Sequence, residues 1–126
     1  TRWQFREMFE KRSVSICMFD ISWVGGLSEA KKVSTMAEAY NLPIATHDCV
    51  GPITLAFSIQ LSLNAPNTII QETVRAFNNT WYQEIVNKTP DINNGFAYAT
   101  SEIGCGVTLS QSFIDNKSTK KKYKSL

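Results

Sequence analysis

The feature that most constrains this chain is an alternation running from Thr1 to Glu72, in which three compact apolar runs are separated by segments with helical spacing. Trp3, Phe5, Met8 and Phe9 line one side of a predicted helix from Trp3 to Lys11. "SVSICMFDIS" follows, an apolar run rich in β-favouring residues that reads as a buried strand ending near Asp20. Gly25-Gly26 breaks the chain, and Ser28 with Glu29 opens "SEAKKVSTMAEAY", where Val33, Met36, Ala37 and Tyr40 recur at helical spacing. "NLP" stops that helix and starts a second short strand, Pro43 to Thr46. Pro52 suits the first turn of a third helix, about Ile53 to Leu63, and after "NAPN" the run "TIIQE" is a third strand. Such an alternation predicts a parallel sheet with right-handed crossovers, either a doubly wound sheet or part of a (β/α)8 barrel.

The polar residues carry the functional information. Asp20, His47 and Glu72 each stand at the C-terminal end of one of the three successive strands, the edge where parallel α/β folds and barrels place their chemistry. His47, in "IATHDCVGP", is the only histidine of the chain; on its own it reads as a core residue, a metal ligand or a catalytic base, and a lone His at a strand end is more often structural than catalytic. Asp20 could instead cap the turn that follows it, and Glu72 could be a solvated loop acid. Together, on three adjacent strands, they form a constellation. A carboxylate such as Asp20 fixes the tautomer of an imidazole and raises its basicity, and Glu72 could meet negative charge developing on a substrate.

From about Thr73 the pattern loosens. "TVRAFNNTWYQEIVNKTPDINNG" reads as a long polar loop with one short helix, and "GFAYAT" and "GVTLSQSF" as two short extended segments. The chain ends in a lysine-rich tail. Thirteen basic and eleven acidic residues give a net charge of +2, but Lys117, Lys120, Lys121, Lys122 and Lys124 crowd the end, and without them the chain is net acidic. That balance is too even to argue for nucleic acid or an anionic membrane as partner, and the tail reads as a solvated end, with an anion-binding tail as the alternative. The three cysteines, Cys17, Cys49 and Cys105, lack the spacing of a zinc site or redox pair and suit reduced thiols in the cytoplasm. No apolar run approaches the roughly 18 residues of a membrane span, and the N-terminus does not read as a signal peptide. The amphipathic pattern that begins directly after Thr1 is read as the continuation of a longer chain.

"DISWVGGLSEAKKVSTMAEAYNLPIATHDCVGPITLAFSIQL" followed by "IIQE" resembles the C-terminal part of the mandelate racemase-like branch of the enolase superfamily, and within it the galactonate dehydratase-like acid-sugar dehydratases. The specific elements are the Asp before "Gly-Gly-x-Ser/Thr-Glu", the "Ala-x-His-x-x-x-Gly-Pro" turn and the "Ile-Gln-Glu" strand end. His47 follows Asp20 by 27 positions and Glu72 follows His47 by 25, in keeping with that pattern. Two positions depart from it: Phe19 stands where the family usually has Pro, and Ile103-Gly104-Cys105-Gly106 where it has Pro-Gly-Leu-Gly.

The resemblance implies the C-terminal part of a (β/α)8 TIM barrel, about strands 6 to 8, over residues 1–94, followed by a segment over residues 95–126 returning toward a capping domain. It implies a lyase that dehydrates an aldonic acid such as galactonate to a 2-keto-3-deoxy acid. His47 would be the general base that takes the proton α to the carboxylate, Asp20 its dyad partner, and Glu72 the stabiliser of the enediolate. It further implies Mg2+ as cofactor, bound by carboxylates on earlier strands rather than by residues of this chain, since an imidazole cannot deprotonate so weak a carbon acid unless the dianion is neutralised. A small-molecule sugar acid as substrate, a cytoplasmic setting and a homo-oligomeric parent follow from the same resemblance, and the 126 residues alone are expected to be inactive. The alternatives are a racemase or epimerase of a 2-hydroxy acid, which would need a second base on an upstream strand, and a non-catalytic half-barrel.

Overall fold

The computed structural model describes residues 1–116, so the lysine-rich tail lies outside the described residues. Helix α1 (Arg2–Glu10) leads to strand β1 (Cys17–Phe19), the one-turn helix α2 (Ile21–Val24), helix α3 (Leu27–Ala39), strand β2 (Ile44–Thr46), helix α4 (Pro52–Asn64) and strand β3 (Thr68–Gln71). The three strands form one parallel sheet in the order β1-β2-β3, as the alternation predicts.

The local signals act where the sequence carries them. Pro52 occupies the first turn of α4, where its missing N–H costs nothing. Gly25 ends α2 at φ 117° and Gly26 precedes α3 at φ 92°, so two consecutive left-handed residues turn the chain between these helices; any side chain would strain there. Helix α2 itself was not foreseen. It is too short for periodicity to reveal, and it exists because the Asp20 carboxylate caps it.

One face of the sheet is covered by helices. Cys17, Phe19 and Ile44 pack with Phe9 of α1, Ala30, Val33 and Ala37 of α3, and Leu61 of α4 in a single core. The alanines let α3 approach closely, and each large side chain buried here contributes roughly 1.5–3 kcal/mol. On the opposite face Met18, Ala45 and Ile70 stand level with one another across the strands. Met18 and Ile70 are exposed among the described residues.

Beyond β3 the chain forms two short helices, α5 (Arg75–Asn78) and α6 (Tyr82–Ile85), where one was expected. A hairpin of β4 (Ile92–Asn93) and β5 (Phe96–Ala97) turns through Asn94 and Gly95, both at positive φ. The expectation of a second extended segment over "GVTLSQSF" holds only in part. Leu109 makes one antiparallel bridge to Val86, but helix α7 (Gln111–Asp115) begins at once, because the Ser110 hydroxyl caps it by accepting from the Phe113 N–H. This whole region is anchored by Tyr82, which packs with Leu55 and Ile59 of α4 in a second cluster.

Candidate active site

The sheet brings the three sequence-predicted residues to one edge. Phe19, Thr46 and Gln71 are register partners, so the residues that follow them, Asp20, His47 and Glu72, stand side by side. Main-chain bonds continue one step past each strand to fix that level: the His47 N–H donates to the Phe19 carbonyl at 2.9 Å and the Glu72 N–H to the Thr46 carbonyl at 3.1 Å.

The alignment depends on an irregularity in β3. Ile44 pairs with Thr68, but Ala45 pairs with Ile70, leaving Ile69 as an extra residue. A bulge of this kind shifts register by one. Without it Gln71 would stand level with His47, and Glu72 would fall one step further on and on the other face.

Asp20 has two tasks, divided between its two oxygens. Oδ1 accepts from the Ser22 N–H at 2.7 Å and the Trp23 N–H at 3.3 Å, capping α2. Oδ2 lies 3.1 Å from His47 Nδ1. The capping reading is thus realised, and the second oxygen of the same carboxylate reaches the imidazole. The Asp20 side chain is buried while His47 is one-third exposed, so the pair has a fixed end and an open end. With Asp20 ionised, Nδ1 is the donor, and Nε2 carries the lone pair. Nε2 faces Glu72, whose Oε2 is 3.7 Å away, beyond hydrogen-bond range. The indole of Trp23, 77% exposed, flanks the imidazole with ring centroids 6.4 Å apart. Asp20, Trp23, His47, Phe5 and Met18 together line an open depression.

Behind this edge lies a polar support. Gln71 accepts at Oε1 from the Thr46 hydroxyl and from the Ser62 hydroxyl, the latter at 2.9 Å, and its Nε2 donates to the Glu72 carbonyl at 2.8 Å.

Sequence reasoning missed Asp48 and Tyr82. Asp48 is fully buried, accepting from the Tyr82 hydroxyl at Oδ1 (2.9 Å) and from the Val74 N–H at Oδ2 (3.0 Å). Desolvation pushes its carboxyl above the ordinary aspartate range; the hydrogen bonds from Val74 and Tyr82 only partly offset it, and the Glu72 charge adds to it. The same burial, with the Asp48 carboxylate beside it, pushes the Tyr82 hydroxyl upward. The aromatic cluster Phe77, Trp81 and Tyr82 was the available signal for an anchored segment, but without knowledge of α4 it reads as a loop. Cys49 is exposed, with Sγ 3.9 Å from His47 Nδ1. Desolvation, then the charges of Asp20, Asp48 and Glu72, push its thiol up.

Among the described residues no group of three His, Cys, Asp or Glu side chains is placed to hold a metal ion. The residues present therefore do not form a magnesium site. Among them, too, no helix is long and apolar enough to cross a membrane.

The imidazole of His47, held by Asp20, thus faces Glu72 at the C-terminal edge of the parallel sheet. A family model described as enolase C-terminal domain-like matches residues 1–113. A D-galactonate dehydratase of Variovorax paradoxus (strain S110) is 31% identical over 119 residues, covering 90% of this chain and 31% of that protein. The chain thus spans about a third of the length of this curated relative. A crystal structure of an enolase of the mandelate racemase subgroup from Agrobacterium tumefaciens superposes with a TM-score of 0.85 at 46% identity, covering 90% of this chain and 31% of that one. An enolase from Pantoea ananatis with bound D-gluconate and Mg superposes with a TM-score of 0.76 at 25% identity, over 83% of this chain and 25% of that one.

Proposed function

The chain belongs to the enolase C-terminal domain-like family, its β1–β3 sheet being the C-terminal part of the (β/α)8 barrel, and from that premise we propose that it serves in a longer protein that dehydrates an aldonic acid to a 2-keto-3-deoxy acid. The observation that carries the reading is the imidazole of His47, tied at Nδ1 to a buried Asp20 and directed at Nε2 toward Glu72. The curated D-galactonate dehydratase supports the dehydratase class, and the D-gluconate of the Pantoea ananatis structure supports a sugar acid as substrate.

In the proposed reaction His47 Nε2 takes the proton α to the substrate carboxylate, and the C–H electron pair moves into that carboxylate to give an enediolate. Asp20 keeps Nδ1 protonated and stabilises the imidazolium that results. Glu72 stands across from Nε2, where it can hydrogen-bond the intermediate. Collapse of the enediolate then breaks the bond to the β-hydroxyl, which leaves as water with a proton from a general acid that we place elsewhere in the longer protein, and the enol ketonises. The described residues do not form a metal site, and we place the ligands of any magnesium in other parts of the longer protein.

The test uses that full-length protein with D-galactonate and D-gluconate in D2O. Wild type should form 2-keto-3-deoxy acid, and His47→Asn should lose both dehydration and exchange of the α-proton. Exchange surviving in His47→Asn would overturn the choice of base. Exchange without water loss in the wild type would favour an epimerase, the reading to which the mandelate racemase subgroup neighbour lends weight.

A further inference from the structure

Asp48 is a fully buried acid beside the proposed base, and no step of the reaction uses it. Two of its connections reach the segment that carries Glu72. The Asp48 N–H donates to Glu72 Oε2 at 3.0 Å, and its side-chain Oδ2 accepts from the Val74 N–H at 3.0 Å. The residue thus grips the 72–74 segment at two points, once on the side chain of Glu72 and once on the backbone two residues later. Its remaining oxygen, Oδ1, is held by the Tyr82 hydroxyl at 2.9 Å, and Tyr82 is itself fully buried against Leu55 and Ile59.

A buried carboxylate with two good partners is costly to keep, because desolvation disfavours its charge. A purely structural role could be filled by an apolar residue of similar size. The placement also solves a specific problem. Glu72 follows a bulged strand and is half-exposed, so it has rotamer freedom that would blur its position relative to His47 Nε2.

We propose that Asp48, anchored by Tyr82, is the positioning residue that fixes the Glu72 carboxylate opposite His47 for the reaction. The inference rests on the reading of Glu72 as the group that meets the intermediate. Asp48 touches neither substrate nor reacting atoms; it acts through Glu72.

The test is a double-variant series in the full-length protein, assayed with D-galactonate and D-gluconate. Asp48→Ala should lower kcat by more than about tenfold while leaving KM within about twofold, since a misplaced group costs the transition state rather than ground-state binding. Asp48→Asn should recover most of that loss, because its amide oxygen can accept from Val74 while its NH2 donates to a reversed Tyr82 hydroxyl. Tyr82→Phe should fall between the two. In a Glu72→Ala background Asp48→Ala should lower kcat no further. Losses that multiply independently in the double variant would overturn the proposal. A crystal structure of Asp48→Asn or Tyr82→Phe gives a reading free of activity. In Tyr82→Phe the Glu72 carboxylate should leave its place 3.7 Å from Nε2, and in Asp48→Asn it should keep it. An unmoved Glu72 in Tyr82→Phe that has lost rate overturns the proposal. If wild type acts on no aldonic acid, the dehydratase reading fails, while the positioning of Glu72 by Asp48 is still decided by these structures.

Discussion

His47 and Asp20 are joined at 3.1 Å across two parallel strands, and the Asp20 oxygen that does not reach the imidazole caps a helix. The orientation of the proposed base is thereby tied to the start of α2, and the two oxygens cannot be exchanged without cost. Catalysis is measured on the full-length protein.

Asp20→Asn should leave the fold intact and remove the chemistry. Asn is as good a cap as Asp, so its carbonyl oxygen should keep the bonds from Ser22 and Trp23. That choice turns the NH2 toward His47 Nδ1, which must then accept, and the ring proton moves to Nε2, where a base needs its lone pair. We expect kcat to fall by about 10⁴, as for a wrong-tautomer dyad, with the thermal midpoint close to wild type. Steady-state kinetics and calorimetry on the same sample check both halves.

Glu72→Ala should separate binding from rate. The side chain is exposed on one side and faces Nε2 without bonding it. Its removal should lower kcat by about 10²–10³ with KM little changed. A rise in KM at unchanged kcat would reassign Glu72 to substrate binding.

Asp48 should leave a signature in the pH dependence of stability. Its folded carboxyl titrates above the ordinary aspartate value of 3.8, so the folded state holds the proton more tightly than the unfolded one. The contribution is fully present below 3.8 and is lost as pH rises through the raised folded value. Charges facing it are those of Glu72 and His47, with the Tyr82 hydroxyl as hydrogen-bond donor. Urea midpoints of wild type and Asp48→Asn followed over pH should diverge across that window, with wild type losing ground as pH rises. Parallel curves would show that Asp48 titrates as an ordinary aspartate.

Tyr82→Phe should destabilise the fold by about 1–3 kcal/mol, because it leaves a buried Asp48 oxygen without its donor. Chemical denaturation gives the number directly, and the loss should shrink in an Asp48→Asn background, where the charge is gone.

The thiols should differ sharply toward iodoacetamide. Cys17 is buried and its thiol is pushed up to about 12, so it should react only on unfolding. Cys49 is exposed and should be alkylated in the folded state, faster as pH rises through its elevated titration. An adduct there, within 3.9 Å of the His47 ring, should block the reaction, and Cys49→Ser should be resistant. Mass spectrometry after timed alkylation checks the order.

Sequence alone determined the succession of helices and strands to Glu72 apart from the one-turn α2, because burial on a sheet and on a helix face leaves a period that local composition carries. It also put Asp20, His47 and Glu72 at strand ends, since each closes a short strand-like run: "ICMFD", "PIATH" and "TIIQE". Only the tertiary structure decided which residues share a level. The extra residue Ile69 in β3 brings Glu72, not Gln71, beside His47, and a bulge is set by pairing with β2 rather than by any local signal in "TIIQE". Asp48 and Tyr82 were invisible for the same reason. They lie 34 residues apart, and the hydrogen bond between them exists only because α4 and α6 pack together. What a residue is next to in the chain could be read directly, but what it is next to in space depends on register and packing, which no single segment encodes.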